Sequence, residues 1–325
     1  MIQREIGKSG IKASAIGLGT WAIGGWKWGG TDDAASLNAI AAAIDNGVTL
    51  IDTAPAYGMG RSEEIVGRAI KTRRDKVVIA TKCGLVWHHQ NGPHHVDQNG
   101  QPLHRYLGRD SIIHEVEQSL RRLGTDYIDL YITHWQDTVT PIAETMETLQ
   151  DLRDQGKIRA IGASNVSPAD LGAYVAAGQL HAIQEQYNML HRGIENTLLP
   201  ITAAHDVATL SYSSLALGLL SGKIGPDRVF GGDDLRLTNP RFSMENRAKV
   251  ADFMAAIAPI ASAHNASLGQ IVIAWTLQQP GITFCLCGAR NADQARENAN
   301  AGSIELGPVD LARIDAEIAG HLAGI

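Results

Sequence analysis

Four side chains of unlike chemistry stand at or just past the ends of apolar runs. Asp52 closes Thr49-Leu50-Ile51-Asp52, and Tyr57 follows in Ala54-Pro55-Ala56-Tyr57-Gly58. Lys82 ends the run that begins at Lys76, and His134 ends Tyr131-Ile132-Thr133-His134. A phenol, with an ordinary pKa of about 10, donates a proton only reluctantly at neutral pH. A neighbouring ammonium stabilises the phenolate and is expected to lower that pKa, while a carboxylate holds the ammonium in place. A neutral imidazole orients a carbonyl oxygen. Together the four make a general acid aimed at a carbonyl, with the hydride coming from elsewhere. Singly each has a plain structural role: a helix cap, a half-buried ring, a rim charge and a satisfied core histidine. The chemistry exists only if the strand ends converge.

The elements that would make them converge are legible. Eight apolar runs read as strands: 15–18, 48–51, 76–81, 127–132, 159–162, 182–183, 207–212 and 283–286. Helical patterns at 32–46, 62–71, 110–123, 140–155, a segment opened by Ser167-Pro168, 195–205, 244–263 and 267–279 separate most of them. Helices near 291–300 and 308–319 follow the last strand. Continuous apolar strands alternating with helices imply a parallel sheet covered by helices. Eight such units predict a (β/α)8 barrel of a single domain, 1–325, with an extra C-terminal helix; a doubly wound open sheet is the competitor. Two long loops, Cys83–Gly108 after the third strand and Ser213–Ser243 after the seventh, fall on the face where barrel strands end.

Composition narrows the class. The 325 residues carry a net charge of −6 and are 44% hydrophobic, so nothing favours nucleic acid or an anionic membrane. No apolar run is long enough to span a bilayer and the start lacks a signal core, so a cytoplasmic protein is expected. Three cysteines give neither a disulfide framework nor a metal-ligand spacing. Cys83 is expected to pack, and Cys285 and Cys287 to pack on opposite sides of the last strand. His88, His89, His94, His95 and His104 share the first long loop, but without rigid ligand spacing they read as a substrate loop and no metal is expected. Gly17-x-Gly19-x-x-Ala22 matches a loose dinucleotide fingerprint, yet Ile23–Gly30 cannot open the helix that this fingerprint requires. Those glycines are expected to shape a mouth loop.

The sequence resembles the aldo-keto reductase superfamily over essentially its whole length. Gly17-Leu18-Gly19-Thr20-Trp21, Asp52-Thr53-Ala54-x-x-Tyr57-Gly58, Ala80-Thr81-Lys82, Arg122-Leu123-Gly124-x-Asp126-Tyr127-Ile128-Asp129-Leu130, Gly156-Lys157-Ile158-Arg159 and Ser164-Asn165 match in order. GTWAIGG, DTAPAYG and GGDDLR place it beside the bacterial general-stress and inositol-operon-type reductases. The resemblance implies a (β/α)8 barrel that uses NADP(H) without a Rossmann fold. Tyr57 would be the general acid, Lys82 its pKa-lowering partner, Asp52 the partner of Lys82, and His134 the orienting group. Gly19, Thr20 and Trp21 would border the cofactor. Ser164, Asn165 and Gln184 would hold the carboxamide, with Tyr212 stacked on the ring. Ser213, Leu215, Gly218 and Leu220 would wrap the pyrophosphate. Gly288 and Arg290 would reach the 2′-phosphate end, and Gln294, Glu297 and Asn298 the adenosine. Three positions depart from the pattern: Gln294 for an Arg, Gln136 for a Pro and Val166 for an aromatic.

The expected function is reversible reduction of an aldehyde or ketone by a monomer or weak homo-oligomer acting on a small molecule. The alternatives are a non-catalytic NADPH-binding partner protein of the same fold and a barrel isomerase or lyase. Aromatic residues are 5% of the chain, yet six are Trp. Trp21, Trp26, Trp28, Trp87 and Trp135 follow the first, third and fourth strands and are expected to wall the substrate pocket, leaving Trp275 on a helix.

Overall fold

The computed structural model describes residues 1–325. Eight parallel strands close into a barrel: β1 (Ile16–Gly19), β2 (Leu50–Asp52), β3 (Val78–Cys83), β4 (Ile128–Thr133), β5 (Ile158–Ser164), β6 (Ala182–Gln186), β7 (Ala208–Tyr212) and β8 (Phe284–Gly288). Each pairs in parallel with its sequence neighbours, and β8 closes on β1 through Cys285↔Ile16 to Gly288↔Gly19. Helices α1 (Asp33–Asp45), α2 (Arg61–Ile70), α3 (Arg109–Leu123), α4 (Ile142–Asp154), α5 (Pro168–Ala177), α6 (Leu199–Ala204), α7 (Met244–Ala263), α8 (Leu268–Leu277), α9 (Ala292–Ala301) and α10 (Pro308–His321) surround it. Local chemistry sets the helix starts. Asp32 accepts from the Ala35 amide ahead of α1, and Ser167 with Asp170 and Ser267 with Gln270 form reciprocal capping boxes at α5 and α8. No helix is long and apolar enough to cross a membrane.

Side-chain alternation builds the floor of the site. Leu50, Val78, Ala80, Leu130, Ile132, Ala160, Ala182, Ala208, Leu210, Phe284 and Leu286 form one buried cluster inside the barrel. Ile6, Ile11 and Ala13 join it from an N-terminal hairpin, Gln3–Glu5 paired with Lys12–Ser14, which plugs the opposite end. Strand side chains repeat their direction every second residue. The next positions of the same parity are therefore Asp52, Lys82, His134, Ser164, Gln184 and Tyr212. Gly19 and Gly288, paired side by side on β1 and β8, complete that layer. Six polar side chains thus crown an apolar plug, and two adjacent glycines leave the wall open.

The structure corrects several expectations. Cys83–Gly108 is not a structureless loop: Leu85–Val86, His94–Gln98 and Gln101–Arg105 form a three-stranded antiparallel sheet. Its Asn99-Gly100 turn has positive φ at both residues, 52° and 80°, the geometry of a two-residue hairpin. The helix expected at 195–205 shrinks to Leu199–Ala204, with a proline in its first turn. The segment 213–243 contains short 3-10 turns at Ala216–Ser221, Leu235–Leu237 and Pro240–Phe242. Cys285 and Cys287 share a face, because residues two apart on a strand point the same way; their sulfurs lie 3.8 Å apart.

Candidate active site

Lys82 is 1% exposed, and all three of its N–H bonds are used. It donates to Asp52 Oδ1 at 2.8 Å, to the Thr53 carbonyl at 2.8 Å and to the Tyr57 hydroxyl at 3.3 Å. Asp52 Oδ1 also accepts from Gln184 Nε2 at 2.7 Å. The Tyr57 ring stands edge-on to His134 with centroids 5.9 Å apart, and 6.4 Å from Trp21. His134 bonds to the protein only through its backbone, to the Cys83 carbonyl and from Asn165 Nδ2, which leaves the imidazole for a ligand.

Burial governs how these groups titrate. It pushes the Tyr57 phenol well above its ordinary value, and the Asp52 carboxylate adds to that rise. The expected lowering by Lys82 does not prevail: burial outweighs it, and Asp52 matches the charge of the ammonium. Burial pulls Lys82 itself down, opposed by the charge and hydrogen bond of Asp52. His134 falls well below 6.5, through burial first and then the nearby Lys82 and His95. At neutral pH the site therefore holds a protonated phenol, a neutral imidazole and a buried ion pair.

Around this core, Ser164 Oγ donates to the Gln184 carbonyl, Asn165 Nδ2 to Ser164 Oγ, and the Tyr212 hydroxyl to Asn165 Oδ1 at 2.8 Å. Gln136 donates to the Ser164 carbonyl and accepts from the Tyr174 hydroxyl, tying the end of β5 to α5. A cleft of about 480 Å3 opens beside Asp52, Tyr57 and Tyr212 at the Gly19–Gly288 gap. It runs past Ser213, Leu215 and Gly218 to Arg290, Gln294, Glu297 and Asn298. Cβ atoms built at Gly19 or Gly288 meet nothing closer than 3.8 Å, so side chains there would fill the cleft itself. Lys223, Arg228, Arg236 and Arg290 bring four cations to it, and the amides of Ser214 and Leu215 donate to no protein oxygen. An aromatic ring at one end, free amides and cations in the middle and an exposed guanidinium at the other suit a phosphorylated dinucleotide.

Other expected site residues lie elsewhere. Thr20 is sealed from the cleft and donates to the Asp52 carbonyl, so it positions that strand end instead of touching a ligand. Leu220, within the 3-10 turn Ala216–Ser221, is wholly buried in the core. Ser164 and Gln184 are also almost fully buried, below Tyr212. Trp21 and Trp28 line the cleft and meet edge to face at 5.4 Å. Trp26 does not line it, and Trp87 faces a separate cleft of about 250 Å3 beside His88, His114 and Glu115. No three His, Cys, Asp or Glu side chains converge as a metal set.

Sequence reasoning missed Asp233. Its carboxylate accepts from the Lys27 and Gly29 amides, both at 2.9 Å, while Arg290 Nη2 reaches the Gly30 carbonyl. The Trp-rich mouth loop is thereby latched to both the 213–243 segment and the cleft's outer cation. The only sequence signal was the GGDDLR run itself.

Comparison with known proteins agrees with this architecture. The family model described as the aldo/keto reductase family matches residues 15–319. An NADH-specific methylglyoxal reductase of Escherichia coli is 42% identical over 94% of each chain. A glycerol dehydrogenase structure from Gluconobacter oxydans superposes with a TM-score of 0.89 at 38% identity, covering 99% of this chain and 96% of that one. An aldo-keto reductase from Klebsiella pneumoniae, solved in complex with NADPH, gives 0.72 at 29% identity over 97% and 95%. With the barrel, the crown of Asp, Lys, Tyr and His, and a family match spanning nearly the whole sequence, this chain belongs to the aldo/keto reductase family.

Proposed function

We propose that this protein reduces an aldehyde or ketone to an alcohol, reversibly, with NADP(H) bound along the cleft and Tyr57 as the general acid. The observation that carries the reading is the buried Lys82 bonded at once to Asp52, Thr53 and Tyr57 beside a free His134 imidazole. The nicotinamide, when bound, supplies or accepts the hydride. Asn165 offers a side-chain amide for its carboxamide, and Ser213 to Gly218 the wall for its pyrophosphate. Tyr57 delivers a proton to the carbonyl oxygen as negative charge develops there, and Lys82, held by Asp52, steadies the resulting phenolate. Neutral His134 donates to the same oxygen and sets its direction. Trp21 and Trp28 exclude water from the reacting carbon.

Arg290 supports the phosphorylated cofactor. Its guanidinium is exposed, has no carboxylate partner, and sits at the cleft's far end, where a 2′-phosphate dianion would accept a paired contact. The NADH-specific relative makes cofactor choice the point to measure. The names of a reductase and a dehydrogenase among the relatives support catalysis in both directions. The test is to mix the protein with NADPH or NADH and a panel of carbonyls and follow absorbance at 340 nm. Turnover on at least one carbonyl, faster with NADPH, is expected. Tight cofactor binding with no turnover on any of them would favour a binding module instead.

A further inference from the structure

His95 lies at an irregularity of the small sheet, where the register between the strands slips between His94 and Val96. Such a bulge re-aims a side chain. While His94 points outward to Asp97, the His95 ring turns in and lies 5.3 Å from Trp135, the residue after His134. It is close enough to His134 and Lys27 for their charges to act on one another.

Its protonation pattern follows from one contact. Arg105 Nε donates to His95 Nδ1 at 2.9 Å, and Arg105 also covers the Trp135 ring at 4.6 Å. A guanidinium only donates, so Nδ1 must be the unprotonated nitrogen and the ring proton must sit on Nε2. Burial, and then the charges of Arg105, His94 and Lys27, hold the ring neutral, with its pKa lowered to about 4. Nε2–H has no acceptor within the protein, although the ring is only half-buried. A fixed, neutral donor with an open valence thus lies against Trp135, the residue that follows His134.

We propose that His95 is a specificity residue whose Nε2–H binds a second oxygen of the substrate, a hydroxyl or carbonyl a few bonds from the reacting carbon. The site then prefers hydroxyaldehydes, hydroxyketones and dicarbonyls to simple alkyl carbonyls of equal length. This rests on the carbonyl-reductase reading. A neutral donor has no strong claim on an anion, so the selected feature is an uncharged oxygen.

The test compares kcat/KM for glyceraldehyde and propanal, with NADPH, in the wild type and in His95→Phe, His95→Gln and Arg105→Leu. His95→Phe should lower the glyceraldehyde value about 10- to 100-fold, the scale of one lost hydrogen bond at a desolvated site, and leave propanal within about 2-fold. His95→Gln, which keeps a donor, should recover part of the loss. Arg105→Leu leaves His95 present but frees its tautomer, and should narrow the preference without touching propanal. A parallel fall for both substrates, or no preference in the wild type, overturns the assignment and leaves the reductase reading intact. Failure of the wild type to reduce any carbonyl overturns both.

Discussion

The Asp52–Lys82 pair should behave as one unit, and its worth follows from the geometry. The charges are 2.8 Å apart and both side chains are almost wholly buried. At an effective dielectric near 20, the attraction is roughly 6 kcal/mol. Desolvation offsets much of this, but breaking such a pair strands one buried charge and typically costs about 3–5 kcal/mol. A chain of 325 residues has an unfolding entropy of roughly 0.7 kcal/mol/K, so Asp52→Asn and Lys82→Met should each lower Tm by about 4–7 °C. The double substitution removes both charges and should melt no lower than the worse single variant. Differential scanning calorimetry at pH 7 without cofactor measures the cycle. Additive losses, with the double variant melting about 8–14 °C below wild type, would refute the claim that these groups stabilise each other.

Further outcomes follow from other contacts. Glu115, almost fully buried and accepting from the Gly84 amide with both oxygens, is pushed by burial up to about 8. A carboxyl raised on folding contributes stability that is complete below about 4.5 and lost as pH rises toward 8. Glu115→Gln should therefore melt near wild type at pH 4.5 and progressively above it up to pH 8; a pH-independent difference would contradict the assignment. Arg290→Leu should raise KM for NADPH about 10- to 100-fold and change KM for NADH less than about 3-fold, as read from initial rates. A Cβ at Gly24 would sit 2.5 Å from the Tyr57 carbonyl carbon, so Gly24→Ala should shift the phenol and lower kcat about 10- to 100-fold.

Which parts of this were legible in the sequence depended on how the information was carried. Asp52, Lys82 and His134 could be placed because each ends an apolar run, and eight such runs with helices between them leave few topologies. Their common parity with the apolar barrel lining, two residues below, was also readable. The small sheet at 85–105 was not, because its strands are polar and held by pairing and by Ala56, Leu85 and Leu103 packed under Trp87, Val96 and Trp135. One signal did exist there, since Asn99-Gly100 is the preferred two-residue hairpin turn. That hairpin brings Arg105 onto His95. The direction of the Tyr57 shift was out of reach for another reason: a sequence names the neighbouring charges but not how deeply the phenol is buried.

The central claim is that Tyr57 supplies the proton while the cleft alone holds the cofactor. The direct measurement pairs single-turnover NADPH oxidation at 340 nm with NADPH titration of tryptophan fluorescence, for the wild type and Tyr57→Phe. The account predicts that the variant binds NADPH with an affinity within about 3-fold of wild type and loses at least about 100-fold in the rate of carbonyl reduction. Reduction by Tyr57→Phe at a rate near that of the wild type would contradict it.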